Sequence, residues 1–432
     1  MKKKILKITG LCFGGLLILM LVLYGYYKLC MDPYRGTVQE FVSSENLDEM
    51  LSGEEAKEDL EYLMERLRER HPAWLDGSGK DALVEAQYEK ELASIGEEIS
   101  VLELYKMASR IVTVLHDGHT YVDWRSEDGG LYVDDFTVFK TYGKPLSIDG
   151  IPCEKLLAAY KEVSSYETDF YAEAIFWGRV ITYEPSLRLC GVDTSDGVVM
   201  CFDDGGKEVE QSFGIVALEE ANGYDPGEGE NKWVYYEIDK ANNVGIFTLT
   251  ACRCNDEYLG VLEDFFAEVF AEGIENVVVD LRGNGGGNSW VANEFMRYLD
   301  VEEYQSWDSA VRLGWYLLKN DDVAYENQKK EQVFDGELYV LTDTWTYSAA
   351  MDFCMLIADN DLGTVVGKPS GNLPDSYGDC LFFQLPNSGL KLSVSYKKWY
   401  RIDRSKAGQL IMPDEEVSAG SALEKVYELI KE

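Results

Sequence analysis

The chain has 432 residues, more than one domain usually contains, and 46% of them are hydrophobic, enough for one large or two modest cores. Its 78 acidic and 40 basic side chains give a formal charge of −38 at pH 7. A surface of that charge repels a polyphosphate backbone, so the composition argues against nucleic acid as a partner.

The N-terminus differs from the rest of the chain. Four lysines within the first seven residues precede an uncharged run from Ile8 to Tyr27, which is long enough to cross about 30 Å of hydrocarbon as a helix. Because lysines stay in the cytoplasm, we expect the chain after about Met31 to be extracytoplasmic. Residues 1–30 are therefore predicted to form an uncleaved, single-pass anchor in the cell membrane. A cleaved signal peptide is the alternative, although no A-x-A-like site follows the run.

The nine cysteines include no zinc-binding spacing. We interpret them as packed thiols. One disulfide is compatible with the sequence, which does not identify the two cysteines that would form it.

After a polar linker, residues 31–53, helical spacing of apolar residues predicts a helical N-terminal domain over residues 54–122. Its last helix opens with a capping box of Ser100 and Glu103 and runs into "HDGHTYVDW". That turn carries His116 and His119, two of the three histidines in the chain. We expect one of the two to be functional.

Residues 123–240 alternate short β-like runs with turns, which predicts a β-rich middle region. From residue 241 to 432 the pattern favours an α/β core. Four strand-like runs, "VGIFTLT", "NVVVDL", "LYVLTD" and "TVVGK", alternate with amphipathic helices. That alternation predicts a mostly parallel, helix-covered sheet.

The second of these strands ends in "RGNGGGNSW". A dinucleotide fingerprint would need glycine where Asn288 stands, and no Lys-Ser or Lys-Thr pair follows as in a phosphate loop. What remains is a backbone turn whose N–H groups can approach a developing oxyanion. The next strand leads to Ser348 at the start of a helix, so a nucleophile, a histidine and amide donors are all available for acyl transfer.

These motifs resemble the C-terminal-processing (tail-specific) serine peptidases, which include the tricorn core proteases. The resemblance rests on "HDGHTYV", "SIDGIP", "VVVDLRGNGGGN", "VLTDTWTYSAAMDF" and "VVGKPSG". It implies that Ser348 is the nucleophile and that the N–H groups of Ala349 and of Gly285 or Gly286 form the oxyanion hole. It also implies a crotonase- or caseinolytic-protease-like spiral core after a helical N-terminal domain, and a PDZ-like module ending near "SIDGIPCEKL".

Two branches of this family use different bases. The resemblance places Asn372 near the position of the lysine of the processing branch, and Lys368 comes too early in the chain to match it. His119 matches the histidine of the tricorn-core-like branch, which is therefore the closer one. The acid that orients that histidine is not identified by sequence, and Asp403 is the nearest candidate.

The sequence thus predicts a membrane-anchored extracytoplasmic serine endopeptidase that cleaves peptides or protein tails without a metal or organic cofactor. Two alternatives stay open: a catalytically silent ligand- or peptide-binding protein on the same fold, and a non-peptide acyl hydrolase such as an esterase.

Overall fold

The structure is a computed structural model that describes residues 2–126, 129–225 and 232–431, with the backbone alone for residues 2–12. Within these ranges the helices are α1 (Lys2–Tyr26), α2 (Gly53–Arg70), α3 (Lys80–Leu92), α4 (Val101–Thr113), α5 (Thr137–Tyr142), α6 (Cys153–Val163), α7 (Asp169–Gly178), α8 (Glu184–Leu189), α9 (Asp256–Glu272), α10 (Trp290–Met296), α11 (Ala349–Ala358) and α12 (Ala422–Leu429). The strands are β1 (Met50–Ser52), β2 (Glu98–Ser100), β3 (Tyr121–Asp123), β4 (Leu131–Val133), β5 (Ser147–Ile148), β6 (Ile151–Pro152), β7 (Val198–Asp203), β8 (Glu208–Phe213), β9 (Ile215–Ala217), β10 (Val234–Asp239), β11 (Val244–Leu249), β12 (Asn276–Asp280), β13 (Glu303–Gln305), β14 (Asp308–Leu313), β15 (Tyr316–Asn320), β16 (Ala324–Glu326), β17 (Glu337–Thr342), β18 (Thr364–Gly367), β19 (Tyr377–Gln384), β20 (Lys391–Tyr400) and β21 (Glu415–Glu416).

The central sheet has the order β10-β11-β12-β17-β18-β21. All its neighbouring strands from β11 to β21 run parallel, and only β10 is antiparallel to β11. Every residue of β11 and β12 is buried, because helices α9 to α11 cover one face and α12 covers the other. The predicted parallel, helix-covered sheet is confirmed. The more specific spiral arrangement stays a prediction.

A second sheet brings a strand from the N-terminal third of the chain together with strands from its C-terminal third. Its order is β15-β14-β20-β19, and β3 pairs with β20. Side chains of β19 and β20 share one core with helices α2 and α4. The helices predicted for residues 54–122 are present, yet they pack onto strands from the far end of the chain and do not form a separate core.

The middle region is not simply β-rich. It contains the sheet β6-β5-β7-β8, but it also contains helices α5 to α8, and both kinds of element share one core. The predicted composition of this region is corrected accordingly. In α6, Leu156, Tyr160 and Val163 are buried at helical spacing. The prediction for this region relied on turn residues and did not use this spacing of apolar residues.

The predicted linker, residues 31–53, is docked along the body. The Val38 N–H donates to Phe382 O at 2.8 Å, and the Ser44 N–H donates to Arg125 O at 2.7 Å. Leu47 is buried in the core that α2 and α4 share. The folded part of the chain after the first helix, from residue 32 onward, is called the body below. These contacts show that the body begins directly after that helix.

One described segment is long and apolar enough to cross a membrane, judged by length and composition alone. It spans Phe13–Met31, has a mean hydropathy of 1.6 and has no buried part. A helix in this position is typical of a membrane anchor and equally of a signal sequence. The eight cysteines whose side chains are described are all unpaired, and Cys12 lies outside that set.

Candidate active site

Ser348 stands on a tight turn between strand β17 and helix α11. Its backbone angles are φ 53° and ψ −125°, a region that costs a residue with a Cβ of the order of 1–3 kcal/mol. A strained turn between a strand and a helix is how the nucleophile elbow exposes a serine hydroxyl. Backbone strain of this kind is typical of functional residues, so it indicates a functional role for Ser348.

Three hydrogen bonds hold the turn in place. The Ser348 N–H donates to Asn372 Oδ1 at 2.8 Å, and the Tyr347 N–H donates to Asn284 O at 2.9 Å. The Thr346 hydroxyl donates to Leu281 O at 2.9 Å. At about 1 kcal/mol net for each bond, together they are comparable with the backbone strain. Asn372 thus supports the backbone of Ser348.

The glycine turn lies against this serine. Gly286 has φ 95°, and a Cβ built there would lie 2.7 Å from Ser348 Cβ and 2.9 Å from Ala349 N. Only glycine fits so close to the elbow. Its own N–H, however, donates to Asn284 Oδ1 at 2.8 Å. Among the hydrogen bonds of the described residues, none engages the N–H of Gly285 or of Ala349, so these two are the better candidates for oxyanion donors.

His119 reaches the same place from the other end of the chain. It lies between the turn that follows α4 and the start of β3. A hydrogen bond from β20 holds its backbone in place, because Ser393 Oγ donates to His119 O at 2.7 Å. Its ring Nε2 lies 3.0 Å from Ser348 Oγ. The structure therefore brings together two residues that are 229 positions apart in sequence.

Asp117 anchors the turn that carries His119. One of its oxygens accepts the His119 N–H at 2.9 Å, and the other accepts from Thr120 Oγ1, Ser395 Oγ and His71 Nε2 at 2.5, 2.7 and 3.1 Å. Burial alone would raise the pKa of this carboxyl, but these hydrogen bonds and the two imidazoles outweigh it and hold the pKa far below its usual range. Asp117 is therefore a buried carboxylate.

The other ring nitrogen of His119 faces two carboxyl groups. Nδ1 is buried without a hydrogen-bond partner among the described residues, at 3.8 Å from Asp117 Oδ1 and 3.9 Å from Glu167 Oε1. Glu167 also accepts from the Leu373 N–H at 2.8 Å and from the Tyr347 hydroxyl at 3.3 Å. Burial, and then the charge of Asp117, raise the pKa of Glu167 to about 8. Sequence reasoning missed Glu167 because it belongs to no motif and approaches the site only through tertiary packing.

The environment of His119 favours the neutral ring. Burial lowers the pKa of the imidazole, although Asp117 and Asp379 oppose the shift. A neutral ring with Nδ1 protonated would leave Nε2 free to accept the Ser348 proton.

Three other residues from the sequence reasoning lie elsewhere. Asp403 accepts from the N–H and hydroxyl of Ser405 and pairs with Lys406 at 3.0 Å, so it caps a short helical turn and does not orient His119. Lys368 pairs with Glu416 at 2.9 Å on the surface. His116 is exposed beside Tyr166.

Asp117, His119 and Glu167 could in principle hold a metal ion, since their ligand atoms lie within 4.8 Å of one another. The donor set fits a metal poorly. Asp117 already accepts four hydrogen bonds and Glu167 accepts two, so most of the carboxylate lone pairs that a metal would need are engaged. We interpret the three as a histidine flanked by two carboxyl groups.

A cavity of about 460 Å³ adjoins the glycine turn. Its walls include Gly287, Trp290, Asp379 and Trp399. Asp379 directly follows Gly378, where an added Cβ would lie 4.0 Å from the His119 ring. The cavity thus lies beside the Ser348–His119 pair and can receive part of a substrate. A larger cavity of about 640 Å³, lined by aromatic residues of the middle region, has neither the glycine turn nor Asp379 in its walls.

Part of the chain matches a known peptidase family. Residues 243–417 match the model of peptidase family S41. The matched region runs from the first parallel strand past the elbow to β21. Together with the shared fold described next, the match supports a serine peptidase.

Solved structures extend the likeness beyond the S41 region. Mature CPAF superposes with a TM-score of 0.60 at 14% identity, covering 88% of this chain and 96% of that one. A protein from Parabacteroides merdae described as a peptidase gives 0.51 at 16% identity, covering 88% and 97%. At these identities the likeness shows a common fold over most of the chain.

Proposed function

We propose that this serine peptidase is a membrane-anchored, extracytoplasmic endopeptidase of the tricorn-core-like branch, with Ser348 as nucleophile and His119 as general base. The observation that carries the proposal is the 3.0 Å distance between His119 Nε2 and Ser348 Oγ, the geometry that proton transfer requires. The spiral core of crotonase-like and caseinolytic peptidases is the arrangement we propose for the central sheet.

The proposed reaction follows from these positions. Ser348 Oγ bonds to the carbonyl carbon of the substrate while its proton passes to His119 Nε2. The carbonyl oxygen becomes an oxyanion, which the N–H groups of Ala349 and Gly285 stabilise. The C–N bond then breaks, and the leaving amine takes the proton from Nε2. Water repeats the sequence on the acyl-enzyme, releasing the acid and restoring Ser348.

The two carboxyl groups beside Nδ1 have a role in this scheme. The imidazolium that forms lies 3.8 Å from Asp117 and 3.9 Å from Glu167. A carboxylate at that distance stabilises the cation in a site with little water. We assign the role of the missing orienting acid to this pair in place of Asp403.

Peptides and protein tails are the substrates we propose. The cavity beside the glycine turn has room for one or two side chains of an extended peptide, and its tryptophans, Trp290 and Trp399, offer apolar contact.

Cleavage of an unstructured protein by the full-length chain in detergent tests the proposal. Ser348→Ala should abolish cleavage, and His119→Ala should lower turnover at least about a hundredfold, as expected for loss of a general base. His116→Ala and Lys368→Ala are matched controls that should keep most activity. If Lys368→Ala abolished cleavage while His119→Ala remained active, the assignment of the base would be wrong.

A further inference from the structure

The hairpin of β14 and β15 ends in an exposed aromatic tip. Leu313 pairs with Tyr316, so Gly314 and Trp315 form a two-residue turn, and Gly314 has φ 58°. Trp315 is 66% exposed, Tyr316 48% and Leu318 47%. A cluster of large apolar side chains on a strongly acidic protein marks a surface with a partner.

This tip lies against the end of the apolar N-terminal helix. The Trp315 indole N–H donates to the Tyr26 hydroxyl at 2.9 Å. A Cβ built on Gly314 would collide with Cys30 O, so the turn touches the backbone of the apolar segment Phe13–Met31. The tip is thus level with Tyr24, Tyr26 and Tyr27, the residues suited to a membrane–water interface.

The segment that connects the apolar helix to the body is short. Asp32 is already buried, and the Tyr34 hydroxyl lies 2.8 Å from the Tyr396 hydroxyl on β20. The Val38 N–H then pairs with Phe382 on β19. Since a residue spans at most about 3.6 Å, the body begins within roughly 10 Å of Met31.

We propose that the hairpin tip inserts Trp315, Tyr316 and Leu318 into the outer interface of the bilayer. Together with the docked segment 32–38, the tip holds the body on the membrane surface. The inference rests on the membrane anchor of the proposed function and adds a second contact with lipid.

The charges nearby indicate which lipid chemistry is recognised. Lys28 is paired with Asp32 at 2.6 Å, and Lys319 is followed by Asp321 and Asp322. With a net charge of −38 on the chain, anionic headgroups would be repelled. The contact is therefore apolar and interfacial, and it needs neither anionic lipid nor low salt.

Tryptophan fluorescence of the full-length chain in phosphatidylcholine vesicles tests the contact. Bromine atoms near the top of the lipid acyl chains quench only tryptophans at the interface. None of the nine tryptophans lies in residues 1–31, so any quenching comes from the body. We expect brominated lipid to quench wild-type fluorescence and to lose that effect in Trp315→Phe. Trp290→Phe, which removes another indole that is 56% exposed, should keep it.

Equal quenching in the wild type and in Trp315→Phe, or none in the wild type, would overturn the hairpin contact. Flotation of the vesicles separates this failure from failure of the anchor, because an unanchored chain does not float. Protein cleavage by Trp315→Phe reports the peptidase separately, since Trp315 lies outside both the catalytic residues and the walls of the proposed substrate cavity. Salt at 0.5 M screens charges more strongly than physiological salt at about 0.15 M. Quenching that requires phosphatidylserine, or that decreases in 0.5 M salt, would therefore contradict an apolar contact.

Discussion

His119 works, in the proposed mechanism, between a hydroxyl that gives up its proton and two carboxyl groups that face the resulting charge. The histidine was predictable because two of only three histidines flank one turn, and the serine because it follows a strand beside the glycine turn. Glu167 and Asn372 were not predictable in these roles. Glu167 lies in no motif, and an asparagine that accepts the N–H of Ser348 leaves no periodic signal in the sequence.

The acid limb of the pH profile should reflect the buried histidine. Burial lowers the pKa of His119, and only the neutral ring is a base. Activity should therefore persist as the pH falls to 6.5, the usual value for histidine, and be lost below it. The measurement is kcat/KM against pH for a neutral peptide. A midpoint above about 7 would contradict the assigned environment.

An alkaline change should report Glu167, whose pKa is about 8. It faces Asp117, His119 and Tyr347, and Lys80 and Tyr171 also act on it. Above that pH its new charge favours the imidazolium, so turnover should rise. Glu167→Gln should remove this rise and keep the acid limb, whereas Glu173→Gln on the exposed side of α7 should change neither.

At the scale of the element, the glycine turn after β12 and the elbow after β17 form one unit. They meet because parallel neighbouring strands end at the same edge of a sheet, so this juxtaposition was predictable from the alternation of strands and helices. Which glycine supplies its N–H was not predictable, because that depends on the orientation of single peptide groups.

Two adjacent glycine substitutions test whether the glycine turn supports the elbow. A Cβ on Gly286 would lie 2.6 Å from Tyr347 O, whereas one on Gly285 meets nothing within 4 Å. Gly286→Ala should therefore displace the elbow and with it the Ala349 N–H, and lower turnover by roughly a hundredfold, the cost of a lost oxyanion donor. Gly285→Ala keeps its N–H and should remain active. Comparable activity in the two variants would mean that the turn does not support the elbow.

For the whole molecule, the α/β core was the most predictable part, because buried parallel strands are continuous apolar runs. The relation between the regions was not predictable. Strand β3 pairs with β20 across 270 positions of the chain, and no local pattern encodes such pairing. Helices α5 to α8 were also missed, since short helices between turns resemble loops in sequence.

The lysines before the helix predict the orientation of the proposed anchor, with the rest of the chain outside the cytoplasm. Protease added to intact cells should degrade the body and leave an N-terminal tag protected. Lysed cells, in which both sides are accessible, are the control. A body that survives in intact cells and is degraded only after lysis would place it in the cytoplasm.

In the proposed mechanism Ser348 is an activated nucleophile. Purified full-length chain should be treated with a fluorophosphonate, which phosphonylates activated serines, and the adduct located by peptide mapping. We predict one adduct, on Ser348, with labelling abolished in Ser348→Ala, strongly slowed in His119→Ala and unchanged in His116→Ala. Failure of the folded wild-type chain to react, or an adduct on another residue, would contradict the account.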